Sequence, residues 1–165
     1  MASHASSSTQ SSPPLSSLAD WTRQHICEAF ESPTNELTLL ALDSTFSRAL
    51  KATVNGDPVD FDGFSRLIAS MAEHAAPTGP KVDWVFADET PDDAGHRNGV
   101  VKGEYFIRDI FGKIPGTDQL IEIETRKQVV GRIESQTSET GVDSRRIVTL
   151  DATVSVEPVN RSNAP

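Results

Sequence analysis

Apolar residues recur every three to four positions up to about residue 79, and alternate with polar ones from residue 80 onward. The first part therefore reads as helices. Residues 17–31 begin at a serine able to cap a helix, and Leu18, Trp21, Ile26, Ala29 and Phe30 form a rough apolar face. Pro33 stops this helix, and Thr34 or Asn35 can cap the next. Residues 35–50 carry Leu39, Leu42, Phe46, Ala49 and Leu50, a stripe at helical spacing. Asn55–Gly56, between two short extended runs, predicts a two-residue hairpin, because a type I′ turn needs positive φ at both central positions. Asp60 or Asp62 then caps a third helix, with Phe61, Phe64, Leu67, Ile68, Met71 and Ala75 along one side.

The second part predicts four long strands, 81–90, 99–111, 119–138 and 144–157. The last three are separated by the turn-forming stretches "GKIPGTD" and "SETGVD", so these strands pair antiparallel. Strict alternation places Val82, Trp84, Phe86 and Asp88 on one face of the first strand. It groups Val101, Tyr105, Ile107, Asp109 and Phe111 on the second, and Val148, Leu150, Ala152, Val154 and Val156 on the last. On the third strand Glu122, Glu124 and Arg126 oppose Ile121, Ile123 and Thr125, which suits a solvated or dimer-forming outer face. Gly131 suggests a bulge or bend. The expected class is α+β: three N-terminal helices packed on one side of a strongly curved antiparallel sheet.

Composition adds boundaries. The first seventeen residues hold eight serines and two prolines, too little apolar surface to offset the entropy of ordering. A leader over 1–16, one domain over 17–157 and a flexible tail over 158–165 are expected. The net charge of −9 and the lack of a basic stripe argue against a nucleic-acid partner. No apolar run nears the roughly 18–20 residues of a membrane span. The leader lacks the features of a secretory or transit peptide. A single cysteine, Cys27, suits a reducing compartment, so the cytoplasm is expected, with Cys27 as packing filler.

Two helices, then the hairpin-to-helix stretch "FSRALKATVNGDPVDFDGF" and long antiparallel strands, resemble the nuclear transport factor 2-like superfamily, in particular SnoaL-like proteins, over about residues 17–157. The resemblance implies a cone-shaped α+β barrel that often dimerises through its outer sheet face. It carries no shared catalytic signature, since the superfamily holds ketosteroid isomerases, polyketide cyclases, scytalone dehydratase and limonene epoxide hydrolase beside proteins without chemistry.

A carboxylate beyond two aromatics at the mouth of such a chamber would be desolvated and usable as a general base, which makes Asp88 the candidate. His96 and Tyr105 are its candidate polar partners, Tyr105 as an oxyanion donor. Trp84, Phe86, Phe46, Phe64 and Met71 would line the apolar wall. The blander readings are a strand-end acid, a loop histidine and a satisfied core tyrosine. Asp92, Asp93 and His96 fit no recognised metal spacing, and no phosphate loop or nucleophile elbow is present, so no metal or cofactor is expected. Two functions follow. One is a cofactor-free lyase, isomerase or cyclase acting on a small apolar molecule. The other is a non-catalytic ligand-binding or dimeric scaffold module of the same fold. A roomy chamber with convergent polar groups favours the first, and a filled or wholly apolar interior the second.

Overall fold

The computed structural model describes residues 13–160. The expected leader falls largely, and the end of the expected tail wholly, outside them. The elements are α1 (Leu18–Glu31), α2 (Asn35–Thr45), β1 (Phe46–Val54), β2 (Asp57–Val59), α3 (Phe61–Glu73), β3 (Lys81–Pro91), β4 (Gly99–Lys113), β5 (Leu120–Ser135) and β6 (Arg145–Pro158). The helices begin where the sequence places a cap. Ser17 Oγ accepts from the amide of Asp20 at 3.0 Å, Thr34 Oγ1 from Leu37 at 3.2 Å and Asp60 Oδ1 from Gly63 at 2.8 Å. The hairpin also forms as expected, with φ of 52° at Asn55 and 86° at Gly56. The Asn55 side chain then bonds both the amide and the carbonyl of Val154, tying the hairpin to β6.

One six-stranded open sheet runs in the order β2-β1-β6-β5-β4-β3. The sequence leads to an antiparallel sheet; the actual sheet is mixed, because β1 pairs parallel with β6 while every other pair is antiparallel. The meander fixes the direction of β6, and β1 reaches it only through the α3 crossover, so nothing local dictates their relative sense. A second correction concerns α2. It ends at Thr45, and Phe46 and Leu50 belong to β1 rather than to a helix extending to residue 50. A spacing of four satisfies both the helical and the strand period, which is why the stripe misleads. Within α2 the buried residues are Thr38, Ala41, Leu42 and Thr45, and Leu39 is 58% exposed.

Three single-residue bulges, and a wider irregularity in β1 between Phe46 and Lys51 against β6, shape the sheet. One extra residue enters β3 between Trp84 and Phe86, one enters β4 between Ile107 and Ile110, and one enters β6 opposite the Arg132–Ile133 step. Each bends its strand and reverses inward and outward for the residues beyond it. In β6 the bulge lets Ile147 and Leu150 both point inward. It lies one residue from Gly131, where the bend was expected. In β4 it leaves Asp109 at φ 58°, and Ile110 rather than Asp109 continues the inner face.

The helices pack on the inner face. Phe46 and Phe64 meet edge to face with centroids 4.8 Å apart. Leu18, Leu42, Ile107 and Ile133 are almost fully buried around them. At the end of the sheet near the start of α1, Arg145 is 1% exposed and links four segments. It donates to Asp143 at 2.8 and 2.9 Å, to the carbonyl and hydroxyl of Ser16 at 2.7 and 3.1 Å, and to the carbonyl of His96 at 3.1 Å, and its guanidinium lies 5.4 Å from the Trp21 ring. No helix among the described residues is long and apolar enough to cross a membrane.

Candidate functional site

The β3 bulge decides where the acids at the end of that strand, Asp88 and Glu89, point. Val82 and Trp84 point toward the helices. After Val85, Ala87 and Glu89 take the inner side, while Phe86 and Asp88 turn outward. The expectation that Trp84, Phe86 and Asp88 share the inner face is therefore corrected. Phe86 is 41% exposed, and Asp88 is exposed opposite Lys102 of β4. Glu89 occupies the inner mouth instead. Its Oε2 accepts the Ala19 amide at 2.8 Å, in the first turn of α1. Its Oε1 lies 3.5 Å from His96 Nδ1, which finds no hydrogen-bond partner among the described residues. His96 sits in the β3–β4 connection at φ 53°. Asp88, His96 and Tyr105 thus occupy the outer face, the connection and the inner face respectively, and do not converge.

The remaining predicted wall residues divide differently. Phe46 and Phe64 are core, Met71 packs against it half-buried, and Trp84 lies half-buried against Tyr105 with ring centroids 4.6 Å apart. Gly103 makes room for Trp84: a Cβ there would come within 2.7 Å of the indole ring. Among the described residues no large enclosed chamber lies between these groups; an open hollow of about 460 Å³ lies beside Met71, between α3 and the sheet, lined also by His74, Ile110, Ile123 and Thr125. The interior cavity that Tyr105 lines with Thr22, Ile26 and Val129 is about 20 Å³, room for a single water molecule.

Sequence reasoning missed one interior residue. Lys127 of β5 is 6% exposed and lies in register with Tyr105, which lies in register with Trp84. Its Nζ is 4.5 Å from the centre of the Phe30 ring and 5.9 Å from that of Phe64. It forms no hydrogen bond or ion pair among the described residues. Burial pushes its amine down to about 8. The same burial raises the Tyr105 phenol above its ordinary range, helped by nearby Cys27. Burial also raises the Cys27 thiol, and Glu31 adds to the rise. The Trp84 indole N–H lies beside Cys27 and eases that rise, yet it meets no acceptor in hydrogen-bonding geometry. The available signal was parity: Lys127 continues the face of Ile123 and Thr125. No carboxylate shares the Trp84–Tyr105–Lys127 row to act as a base. No group of metal-ligating side chains occurs among the described residues.

The outer face is ordered and mixed. Arg126 donates to Glu104 at 2.9 Å through Nε, with Nη2 at 2.8 Å, and Gln128 adds a bond at 3.0 Å. These contacts, Gln128 first, hold the Glu104 carboxyl below its usual range. Arg108 bridges Asp83 at 2.8 Å and Glu124 at 2.6 Å. Beside this ladder a groove of about 260 Å³ is lined by Phe86, Lys102, Val130, Asp151 and Thr153.

No protein-family model and no curated protein matches the sequence. Solved structures do match the fold. A nuclear transport factor 2-like protein of unknown function from Pseudomonas aeruginosa aligns with a TM-score of 0.51 at 10% identity, covering 82% of this chain and 94% of that one. The Chaetomium thermophilum Mex67 nuclear transport factor 2-like domain complexed with Mtr2 gives 0.52 at 10% identity, covering 84% and 95%. A chain of the C. albicans Mtr2–Mex67 M domain complex gives 0.51 at 15% identity, covering 86% and 96%. The protein has the nuclear transport factor 2-like fold.

Proposed function

We propose that this protein is a non-catalytic scaffold module, formed by residues 17–157, that dimerises through the outer face of its sheet in a reducing, cytoplasmic compartment. The observation that carries this reading is the closed core beneath Tyr105, whose enclosed cavity of about 20 Å³ cannot admit an organic substrate, while the open hollow beside Met71 holds none of Asp88, His96 and Tyr105. With Asp88 on the outer face, the expected base is also separated from Tyr105 by the thickness of the sheet. The outer face has what an isologous contact uses. Val85, Phe86 and Val130 are 57%, 41% and 42% exposed, and Lys102 stands in the same cross-strand row as Asp88 and Asp151. A two-fold axis through this row can set the lysine of one copy against an aspartate of the other. The Mex67 domain of the same fold is known in complex with a protein partner, Mtr2, which supports protein pairing as a use of this architecture.

The test is solution mass by light scattering on wild type and Val130→Glu. Wild type is expected at twice the 17.9 kDa chain mass and the variant at the single-chain value. A monomeric wild type, or a dimer that both Val130→Glu and Phe86→Ser leave intact, overturns the reading.

A further inference from the structure

The open hollow of about 460 Å³ lies between the end of α3 and the inner face of β4, β5 and β6. Met71 walls it on the helix side, and Ile110, Ile123 and Val156 on the sheet side. Gly112 lets the Ile123 side chain lie over β4, since a Cβ there would come within 2.8 Å of Ile123 Cδ1. The hollow is held open because the end of α3 is stitched to β4. The Phe111 amide donates to the His74 carbonyl at 2.7 Å, and the Ala76 amide to the Asp109 carbonyl at 2.8 Å. Thr125 is 1% exposed and lines the hollow, yet its hydroxyl has no hydrogen-bond partner among the described residues. Buried hydroxyls normally have one. Its cross-strand partner Val156 is 56% exposed, although it stands on the same inner face. An apolar hollow with one unanswered polar group, in the size range of roughly 300–1,000 Å³, is the usual form of a small-molecule site.

We propose that this hollow binds a small neutral molecule with an apolar body and one hydroxyl or carbonyl oxygen. The body meets Met71, Ile110, Ile123 and Val156. The oxygen meets Thr125, whose hydroxyl can donate or accept. The ligand is neutral because nothing in the lining answers a charge. No carboxylate lines the hollow, and its one lysine, Lys113, is already paired with Asp118 at 3.3 Å. The remaining ionisable group is His74, whose ring Nδ1 is engaged with the Ser70 carbonyl at 2.9 Å. A charged ligand would leave water for an apolar wall without a counter-charge. The site goes beyond the scaffold reading and does not depend on it, because it lies on the opposite side of the sheet from Phe86, Lys102 and Val130.

The experiment titrates cyclohexylmethanol into the full-length protein and follows the methyl resonances of Met71 and Ile123. Cyclohexanecarboxylate and cyclohexylmethylammonium, which carry the same ring with a charge, are the comparison. Wild type should show a saturable shift with the alcohol and bind either ion at least about ten-fold more weakly. Val156→Trp fills the hollow from an exposed position and should abolish the saturable response. Thr125→Val keeps the side-chain shape, removes the hydroxyl and should weaken binding about three- to ten-fold, the worth of one neutral hydrogen bond. The dispersion of the same spectra checks that both variants fold. Absence of a saturable shift in wild type, equal affinity for either ion, or unchanged affinity in folded Val156→Trp or Thr125→Val each overturns the proposal. None of these outcomes bears on solution mass, so failure here and failure of the dimer are separable.

Discussion

Replacing Lys127 by methionine should make the protein more stable, which is the reverse of the usual outcome for a buried position. The side chain sits between Phe30, Phe64 and the inner sheet face with no counter-charge among the described residues. Its amine falls from the ordinary 10.5 to about 8 on burial. Each pH unit of that gap is worth about 1.4 kcal/mol, so the charged form costs the folded state about 3 kcal/mol. The Phe30 ring face returns about 1 kcal/mol. The net gain on substitution at pH 7 is therefore about 2 kcal/mol, with methionine keeping the packing of the stem. The pH dependence has a definite sign. Below about 8 the amine is charged in both states and the cost is fully present. Between about 8 and 10.5 the unfolded chain binds the proton and the folded chain does not, so stability rises with pH. Urea unfolding of wild type and Lys127→Met measures the difference at pH 7 and near pH 10. The gap should shrink from about 2 kcal/mol to near zero, other titrations cancelling between the two proteins. A less stable variant at pH 7, or a gap that does not change with pH, would refute the reasoning.

Other expectations follow from the packing. Arg145→Met removes a buried guanidinium that bonds Asp143, Ser16 and the His96 carbonyl, and should cost about 3 kcal/mol in urea unfolding; a loss under about 1 kcal/mol would mean these bonds are not coupled to folding. Gly103→Ala puts a methyl where the indole of Trp84 lies and should cost about 1–3 kcal/mol while shifting Trp84 fluorescence; an unshifted spectrum would argue that Trp84 is seated elsewhere.

The element order, all three helix caps and the Asn55–Gly56 hairpin were legible in the sequence because each depends on a few neighbouring residues. The candidate site was legible only in part, because each single-residue insertion inverts the alternation of every residue beyond it. Val85 looks like any other strand residue, yet as the extra residue it turns Asp88 outward and brings Glu89 to the mouth. Likewise the stripe Leu42–Phe46–Leu50 suits a helix and a strand equally, and the strand wins because β6 offers Phe46 and Leu50's neighbours a partner.

Lys127 shows the other kind of limit. Its parity was readable, since it follows Thr125 on the face opposite Arg126, but a lysine at the end of "IEIETRK" has the local chemistry of a solvated residue. Burial is set by what arrives from elsewhere: α1 brings Phe30 and α3 brings Phe64 from 97 and 63 positions away in the chain. The sequence by itself determined the segments, their caps and the kind of layers they could form, because those are local free energies. The tertiary structure alone decided which face each strand turns inward, whether a chamber survives, and which charged group is stranded inside, because packing and strand register are settled between segments rather than within them.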